Sequence, residues 1–208
     1  IAKPPAKSRA SIASMDDESA GPNFMSTQRL FVAIDYPDEI AERLAALDPH
    51  YRGLIFSPPA QMHLTLAFFA AVEKGTAAAL EEKLAAISFR SFFLPVAGLG
   101  VFSRKGMPQI LWIGVGHAHP HLFQLHKRVS EAALACHLPI EERAWTPHFT
   151  IARARGISKA LVDLFLKKHR DYDAGLVRIA SFTLYESKLT AGGAIHREVR
   201  IIRADDSS

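Results

Sequence analysis

The sequence predicts an α+β fold with antiparallel sheets, and three observations lead to this prediction. Segments that alternate between apolar and polar residues, as strands do, are interleaved with segments whose apolar residues recur at helical spacing. Short turns join several of the predicted strands, and short connections favour antiparallel pairing over the long crossovers of a parallel sheet. The chain has 208 residues, 49% of them hydrophobic and 22% charged, which is enough to bury a core without a disulfide or a metal.

The first half of the chain is predicted to contain three strands and two helices. Residues 30–35 form a short apolar run, residues 62–69 alternate, and residues 92–102 are extended, so all three segments are predicted as strands. Residues 37–47 and the alanine-rich residues 73–87 place leucine and isoleucine at helical spacing and are predicted as helices.

The second half repeats this mixture of strands and helices. The predicted strands, which are rich in β-branched and aromatic residues, span 110–115, 148–152, 176–188 and 195–202. The predicted helices, which carry an apolar stripe, span 121–136 and 158–168. A basic turn over 103–108 and a turn with paired glycines near residue 192 connect strands of this half.

The ends and the composition limit the class of protein. Residues 1–27 lack an apolar pattern and are predicted to be a flexible tail, whereas residues 28–208 are predicted to form a single domain. The single cysteine, Cys136, excludes an internal disulfide and indicates a reducing compartment. No apolar run is long enough for a membrane span. We expect a cytoplasmic protein, with a monomer as the default state. The net charge of +4 permits a phosphate-bearing ligand without requiring one.

The most informative feature is a tetrapeptide of the form His-x-Thr-apolar that occurs twice. His63 and Thr65 belong to the first copy, and His148 and Thr150 belong to the second, 85 residues later. In a strand, residues i and i+2 point to the same face. Each copy therefore presents an imidazole and a hydroxyl side by side, while the apolar residues between them enter the core.

Two such strands facing each other would form a site suited to phosphodiester hydrolysis. One imidazole can take a proton from water while the other gives a proton to the leaving oxygen, and the ordinary pKa of histidine suits both tasks. The threonine hydroxyls can donate hydrogen bonds to the phosphate oxygens on which negative charge develops.

Arg153 is a candidate phosphate ligand because a guanidinium can make paired hydrogen bonds to a phosphate. It lies five residues after His148, and an odd spacing sends it to the opposite face of a regular strand. Arg153 can reach the cleft only if the strand ends or bulges near Ala152.

The clustered histidines His117, His119 and His121 are interpreted as a surface loop leading into a helix. A proline interrupts the run, and no cysteine or carboxylate accompanies it at ligand spacing. We therefore expect no metal site at this cluster. The sequence also has no glycine-rich phosphate loop of the P-loop or dinucleotide type, and we expect no cofactor.

Six segments together resemble the 2H phosphoesterase superfamily, and most closely the bacterial RNA 2',3'-cyclic phosphodiesterases, also called 2'-5' RNA ligase-like proteins. These segments occur in the order of the family: RLFVAID (29–35), MHLTLAFF (62–69), the stretch 99–102 before the basic turn, ILWIGV (110–115), PHFTIAR (147–153) and LYESKLTAGGAIH (184–196). The resemblance implies two lobes related by a pseudo-twofold axis, with antiparallel sheets lining a central cleft and helices packed outside.

The resemblance also implies an activity and the residues that perform it. It implies metal-independent hydrolysis of a terminal 2',3'-cyclic phosphate of RNA, such as a tRNA fragment, to a 2'-phosphate. The family's other name also implies reversible 2'-5' RNA ligation. His63 and His148 match the catalytic histidines, with His148 as the base and His63 as the acid. Thr65, Thr150 and Arg153 match the phosphate ligands.

Three further residues, Phe69, Arg104 and Tyr185, are candidate substrate contacts because they lie near the motifs or in the basic turn. Phe69 departs from the aliphatic residue that many relatives carry. Two other functions stay open: a binding module for RNA ends without catalysis, and a 2H phosphodiesterase that acts on a small cyclic nucleotide.

Overall fold

The computed structural model describes residues 27–117, 120–141, 144–191 and 193–206. The predicted tail lies outside these residues except for Thr27, which begins the first strand. His119 of the histidine cluster also lies outside them. The described elements, in chain order, are β1 (Thr27–Asp35), α1 (Asp38–Ala45), β2 (Leu54–Phe56), β3 (His63–Glu73), α2 (Lys74–Ala85), β4 (Phe92–Ala97), β5 (Leu99–Arg104), β6 (Met107–Gly114), α3 (Pro120–Leu134), β7 (His148–Ala154), α4 (Lys159–Lys168), β8 (Asp173–Ile179), β9 (Ser181–Thr190) and β10 (Gly193–Arg203).

Antiparallel pairing joins most of the strands into one large sheet, which confirms the predicted α+β class. The strand order is β10-β9-β1-β3-β7-β6-β5, with β2 paired to β7, while β4 and β8 form a separate two-stranded sheet. The two strands that carry the His-x-Thr motifs, β3 and β7, are neighbours in the middle of this order. Helices α2 and α3 pack against the β1–β3 side, whereas α1 contacts β8 and α4 contacts β6.

Two segments that were predicted as single strands are each divided between the two sheets. Residues 92–102 form β4 in the small sheet and β5 in the large one, and residues 176–188 contribute to β8 and β9 in the same way. The first division falls at Gly98, whose φ of +81° lies in the left-handed region that favours glycine. The prediction was wrong because β-propensity continues across both breaks, and propensity does not reveal which sheet a strand joins.

The helices bury the faces that the periodicity predicts. Leu122, Leu125 and Val129 of α3 are buried, and the Ser158 hydroxyl accepts a hydrogen bond from the backbone N–H of Leu161 at the start of α4. The described helices are all too short or too polar to cross a bilayer.

Candidate active site

The two His-x-Thr motifs meet on adjacent antiparallel strands. Leu64 of β3 is the register partner of Phe149 of β7, and both side chains are completely buried. The same register places His63 across from Thr150, and Thr65 across from His148. Because alternate residues of a strand share a face, two imidazoles and two hydroxyls lie together on the face opposite the core.

A bulge in β7 brings Arg153 to this face. Thr150 pairs with Trp112 of β6 and Ala152 pairs with Leu111, so Ile151 is an extra residue on β7. Ile151 and Ala152 are consequently both buried, and Arg153 returns to the side of the histidines. The positive charge of Arg153 acts on the His63 ring. The condition that the sequence set for Arg153 is therefore met.

A second bulge occupies the equivalent position of β3. Thr65 pairs with Ala33 of β1 and Ala67 pairs with Val32, which leaves Leu66 as the extra residue. The alternation shifts after the bulge, so that Phe69 enters the core with 2% of its surface exposed, while Phe68 is 48% exposed.

Phe69, a predicted substrate contact, is thus almost entirely buried, although it is one of the residues that line the cavity beside Thr65 and His148. The neighbouring Phe68, which strict alternation would have buried, lies on the cleft face instead. Arg29 stacks on the Phe68 ring, with its guanidinium carbon 5.1 Å from the ring centroid.

Aromatic rings surround His63 on the β1–β9 side of the cleft. Phe31 stacks on the His63 ring at 4.9 Å between centroids, and the centroids of Tyr185 and His196 lie 6.5 Å and 5.7 Å from it. Burial, and next the positive charges of His196 and Arg153, lower the pKa of His63 to about 4 against a hydrogen bond with the Gln61 backbone. His63 is therefore neutral near pH 7 in the protein without substrate.

His148 has a different set of neighbours. Phe102 packs against its ring edge to face at 4.8 Å between centroids, and Trp112 lies at 6.2 Å. The Trp112 indole covers the backbone of Gly100, where a Cβ atom would come within 2.2 Å of the ring. Glycine at position 100 therefore leaves room for the Trp112 indole next to His148.

Each histidine is also oriented by the backbone two residues before it. The Nδ1 atom of His148 lies 2.7 Å from the carbonyl oxygen of Thr146, and His63 hydrogen bonds to the backbone of Gln61. A carbonyl oxygen can only accept, so Nδ1 of His148 carries the proton. The Nε2 atom of neutral His148 is therefore free to accept a proton.

A cavity of about 860 Å³ extends from Thr65 and His148. Most of its lining side chains are apolar, among them Phe68, Phe102, Ile110, Ile140 and Trp145. The Trp145 indole N–H donates to the carbonyl oxygen of Thr65 over 3.1 Å, which holds this wall next to the motif. An apolar cavity beside a polar centre is typical of small-molecule sites.

Of the other two predicted contact residues, one lies beside His63 and the other lies at an exposed hairpin tip. Tyr185 lies on the His63 side, where it stacks on Phe31 and shares a hydrogen bond with Asp35. Arg104 ends β5 at the tip of the β5–β6 hairpin and is exposed. None of the described contacts links Arg104 to the motifs.

Sequence reasoning missed His196. The residue closes the segment 184–196 that carries the resemblance, but a lone histidine in a strand is no signal by itself. Its position beside His63 follows only from the sheet order.

The described part of the chain contains no cluster of side chains suited to binding a metal ion. Among these residues, no group of three or more histidine, cysteine, aspartate or glutamate side chains could hold an ion together.

Two His-x-Thr strands that meet at one cleft, in an antiparallel fold with outer helices, define the class of two-histidine phosphoesterases. The model of the family described as LigT like phosphoesterase matches residues 34–112 and 113–196, and each match contains one motif. The chain belongs to this family.

Individual relatives agree with this assignment. The chain is 33% identical over 147 residues to the RNA 2',3'-cyclic phosphodiesterase of Aeropyrum pernix, covering 70% of this chain and 83% of that protein. It is 30% identical over 166 residues to the protein of the same name from Aquifex aeolicus, covering 78% and 88%. Among solved structures, Escherichia coli LigT complexed with 3'-AMP superposes with a TM-score of 0.72 at 26% identity, covering 87% of this chain and 100% of that one.

Proposed function

We propose that this protein hydrolyses the terminal 2',3'-cyclic phosphate of RNA to a 2'-phosphate by acid–base catalysis between His63 and His148, without a metal. The observation that carries the proposal is the cross-strand register, in which each histidine faces the threonine of the other motif. The relatives named RNA 2',3'-cyclic phosphodiesterase support the substrate class.

The chemistry assigns one task to each imidazole. His148 takes a proton from water through Nε2, and the water oxygen forms a bond to phosphorus. The bond from phosphorus to the ribose 3' oxygen breaks, and His63 gives its proton to that oxygen, so that a 2'-phosphate and a 3'-hydroxyl result. Thr65, Thr150 and Arg153 donate to the non-bridging oxygens, where charge accumulates in the transition state.

The acid role of His63 requires that the substrate brings negative charge. Burial and nearby positive charge keep His63 neutral in the free protein. The anionic cyclic phosphate offsets the charges of Arg153 and His196, and so raises the proton affinity of His63 when it binds.

The role assignment is tested with a nucleotide diester whose nitrophenolate leaving group needs no proton. On that substrate His63→Ala retains more of the wild-type rate than His148→Ala, because the missing acid is no longer needed. The reverse ranking would make His63 the base.

The cavity accommodates the nucleoside that carries the phosphate. The exposed ring of Phe68 offers a stacking surface for a base at the cavity wall. Escherichia coli LigT, whose fold this chain shares, has been crystallised with 3'-AMP, which supports a nucleotide-sized ligand here. Tyr185 on the His63 side, and Arg104 at the hairpin tip, are proposed to contact the RNA beyond the terminal nucleotide.

The decisive experiment incubates the protein with an oligonucleotide that ends in a 2',3'-cyclic phosphate, in excess EDTA. The expected product has gained one water and carries a 2'-phosphate by ³¹P NMR. Strong inhibition by EDTA would contradict metal independence. Salt-dependent binding without turnover would identify a binding module, and turnover of ADP-ribose cyclic phosphate alone would identify a small-nucleotide enzyme.

Ligation is proposed as the same chemistry with a different nucleophile. A 5'-hydroxyl of a second RNA takes the place of water, His148 takes its proton, and a 2'-5' linkage forms as the 3' oxygen leaves. The test supplies a 5'-hydroxyl oligonucleotide together with the cyclic phosphate substrate. A joined product that resists a 3'-5'-specific nuclease supports ligation, and its absence contradicts it.

A further inference from the structure

His196 reaches the active site from a distant strand. The sheet order β10-β9-β1-β3 separates His196 from His63 by three strand spacings, which is about 14 Å measured across the sheet. Their ring centroids are nevertheless only 5.7 Å apart. The rings meet because both pack on Phe31, at 4.9 Å for His63 and 4.8 Å for His196.

The orientation of the His196 ring is fixed, yet one of its nitrogen atoms lacks a partner. The ring stands edge to face against Phe31 and His63, with interplanar angles of 75° and 85°. Its Nδ1 atom is buried, and no described group hydrogen bonds to it. A buried polar atom without a partner costs stability, so stability alone does not account for a histidine at this position.

We propose that His196 is a positioning residue for His63, and that its charge limits the pair of rings to one proton at a time. The proposal rests on the proposed function, in which His63 exchanges a proton with the substrate. Two imidazolium ions at this separation, in a partly buried site, repel each other strongly. Whichever ring is protonated therefore opposes protonation of the other.

The remaining groups that face His63 come from three strands. They are Asp35 from β1, Tyr185 from β9, and Arg153 with His148 from β7. Arg153 is positive throughout the accessible range. Burial raises the pKa of Asp35, so the Asp35 carboxyl can titrate alongside His63.

The proposal determines which of the two histidines is protonated first as the solution is acidified. Burial lowers the pKa of both histidines, but His196 is the less enclosed ring, and its charge contributes to lowering the pKa of His63. His196 therefore takes up the proton first, and His63 stays neutral to a lower pH than burial alone would allow.

The test follows the His63 ring by NMR in the full chain with labelled histidine and no substrate. In His196→Gln and His196→Phe the titration midpoint of His63 is expected to move up by about one pH unit, because the neighbouring charge is gone. His169→Gln, on the distant end of α4, is the matched control and leaves the midpoint unchanged. The shift must persist when His196→Gln is made in an Asp35→Asn background.

Each outcome decides the proposal. An unchanged midpoint in both His196 variants would overturn it, and a shift in His196→Gln without one in His196→Phe would overturn it in favour of ring packing. The acid limb of kcat/KM should move to higher pH together with the midpoint, which a merely structural role would not produce. The NMR measurement needs no turnover, so it remains decisive if no cyclic phosphate is hydrolysed.

Discussion

Strands β3 and β7 have the same backbone design but different surroundings. Each begins with His-x-Thr and continues into a bulge directly after the threonine. The bulge brings the fifth residue after the histidine to the cleft face, where β3 presents Phe68 and β7 presents Arg153. The backbones of the two strands thus place equivalent positions at the cleft, but one position carries an aromatic ring and the other a positive charge.

The difference extends to the two histidines. His63 is packed with Phe31, Tyr185 and His196 and lies in the field of Arg153. His148 lies between Phe102 and the apolar cavity. In the proposed mechanism one histidine is the acid and the other is the base, and their unequal neighbours are what distinguish the two roles.

The strongest test of the comparison removes each histidine in turn. His63→Ala and His148→Ala are each expected to lower kcat by about 10²–10⁴, the usual effect of losing a positioned acid or base. His169→Gln, outside the cleft, is the control. Wild-type turnover of the cyclic phosphate by either alanine variant would end the two-histidine mechanism.

The protonation of His63 should also appear in the stability of the fold. The pKa of about 4 in the folded state lies below the ordinary value near 6.5, so the unfolded chain binds more protons between these limits. The contribution of neutral, buried His63 to the free energy of unfolding is therefore fully present above pH 6.5. It is lost progressively as the pH falls towards 4, by roughly 3 kcal/mol.

Chemical denaturation across this range measures the effect. The wild type should lose stability on acidification more steeply than His63→Phe, which cannot take up this proton. If the free energy of unfolding of the two proteins depends on pH in the same way, the pKa of His63 is not lowered in the folded state.

Arg153, which the bulge in β7 turns towards the cleft, is expected to contribute to the rate rather than to the fold. Arg153→Gln should lower kcat by about 10–10²-fold, because it removes hydrogen bonds from a charged donor to the phosphate. Arg153→Lys should recover part of this loss. Arg170→Gln, in an exposed turn, is the control, and an Arg153→Gln variant with the wild-type kcat would show that the bulge has no role in catalysis.

Phe68, which the bulge in β3 brings to the cleft face, is expected to act on binding instead. Phe68→Leu should raise KM by about 10-fold, through the loss of a stacking surface for the base, and leave kcat nearly unchanged. Phe93→Leu, an exposed phenylalanine of β4, controls for general effects. If Phe68→Leu lowers kcat with KM unchanged, Phe68 and Arg153 do not differ in the way proposed, with one acting on binding and the other on the rate.

Much of the fold was predictable because periodicity is a local property. The strand over residues 62–69 and the helical stripe of α3 were predicted only from which residues follow one another, and the structure contains both elements. Within β3 the alternation holds as far as the bulge at Leu66 and shifts after it. The breaks at Gly98 and Ala180 were not predictable, since the choice between two sheets depends on distant pairing partners. The three-residue strand β2 is too short to give a periodic signal.

The sequence by itself determined the residue types of the site: two imidazoles, each with a hydroxyl two positions later, and an arginine five positions after the second. Only the tertiary structure decided which of the nearby residues face the cleft. One extra residue in β3 put Phe68, rather than Phe69, on the cleft face, and one extra residue in β7 turned Arg153 towards His63. The pairing order of four strands and their packing on Phe31 placed His196 beside His63. Strand bulges and sheet order depend on pairing across the whole chain, which no local pattern encodes.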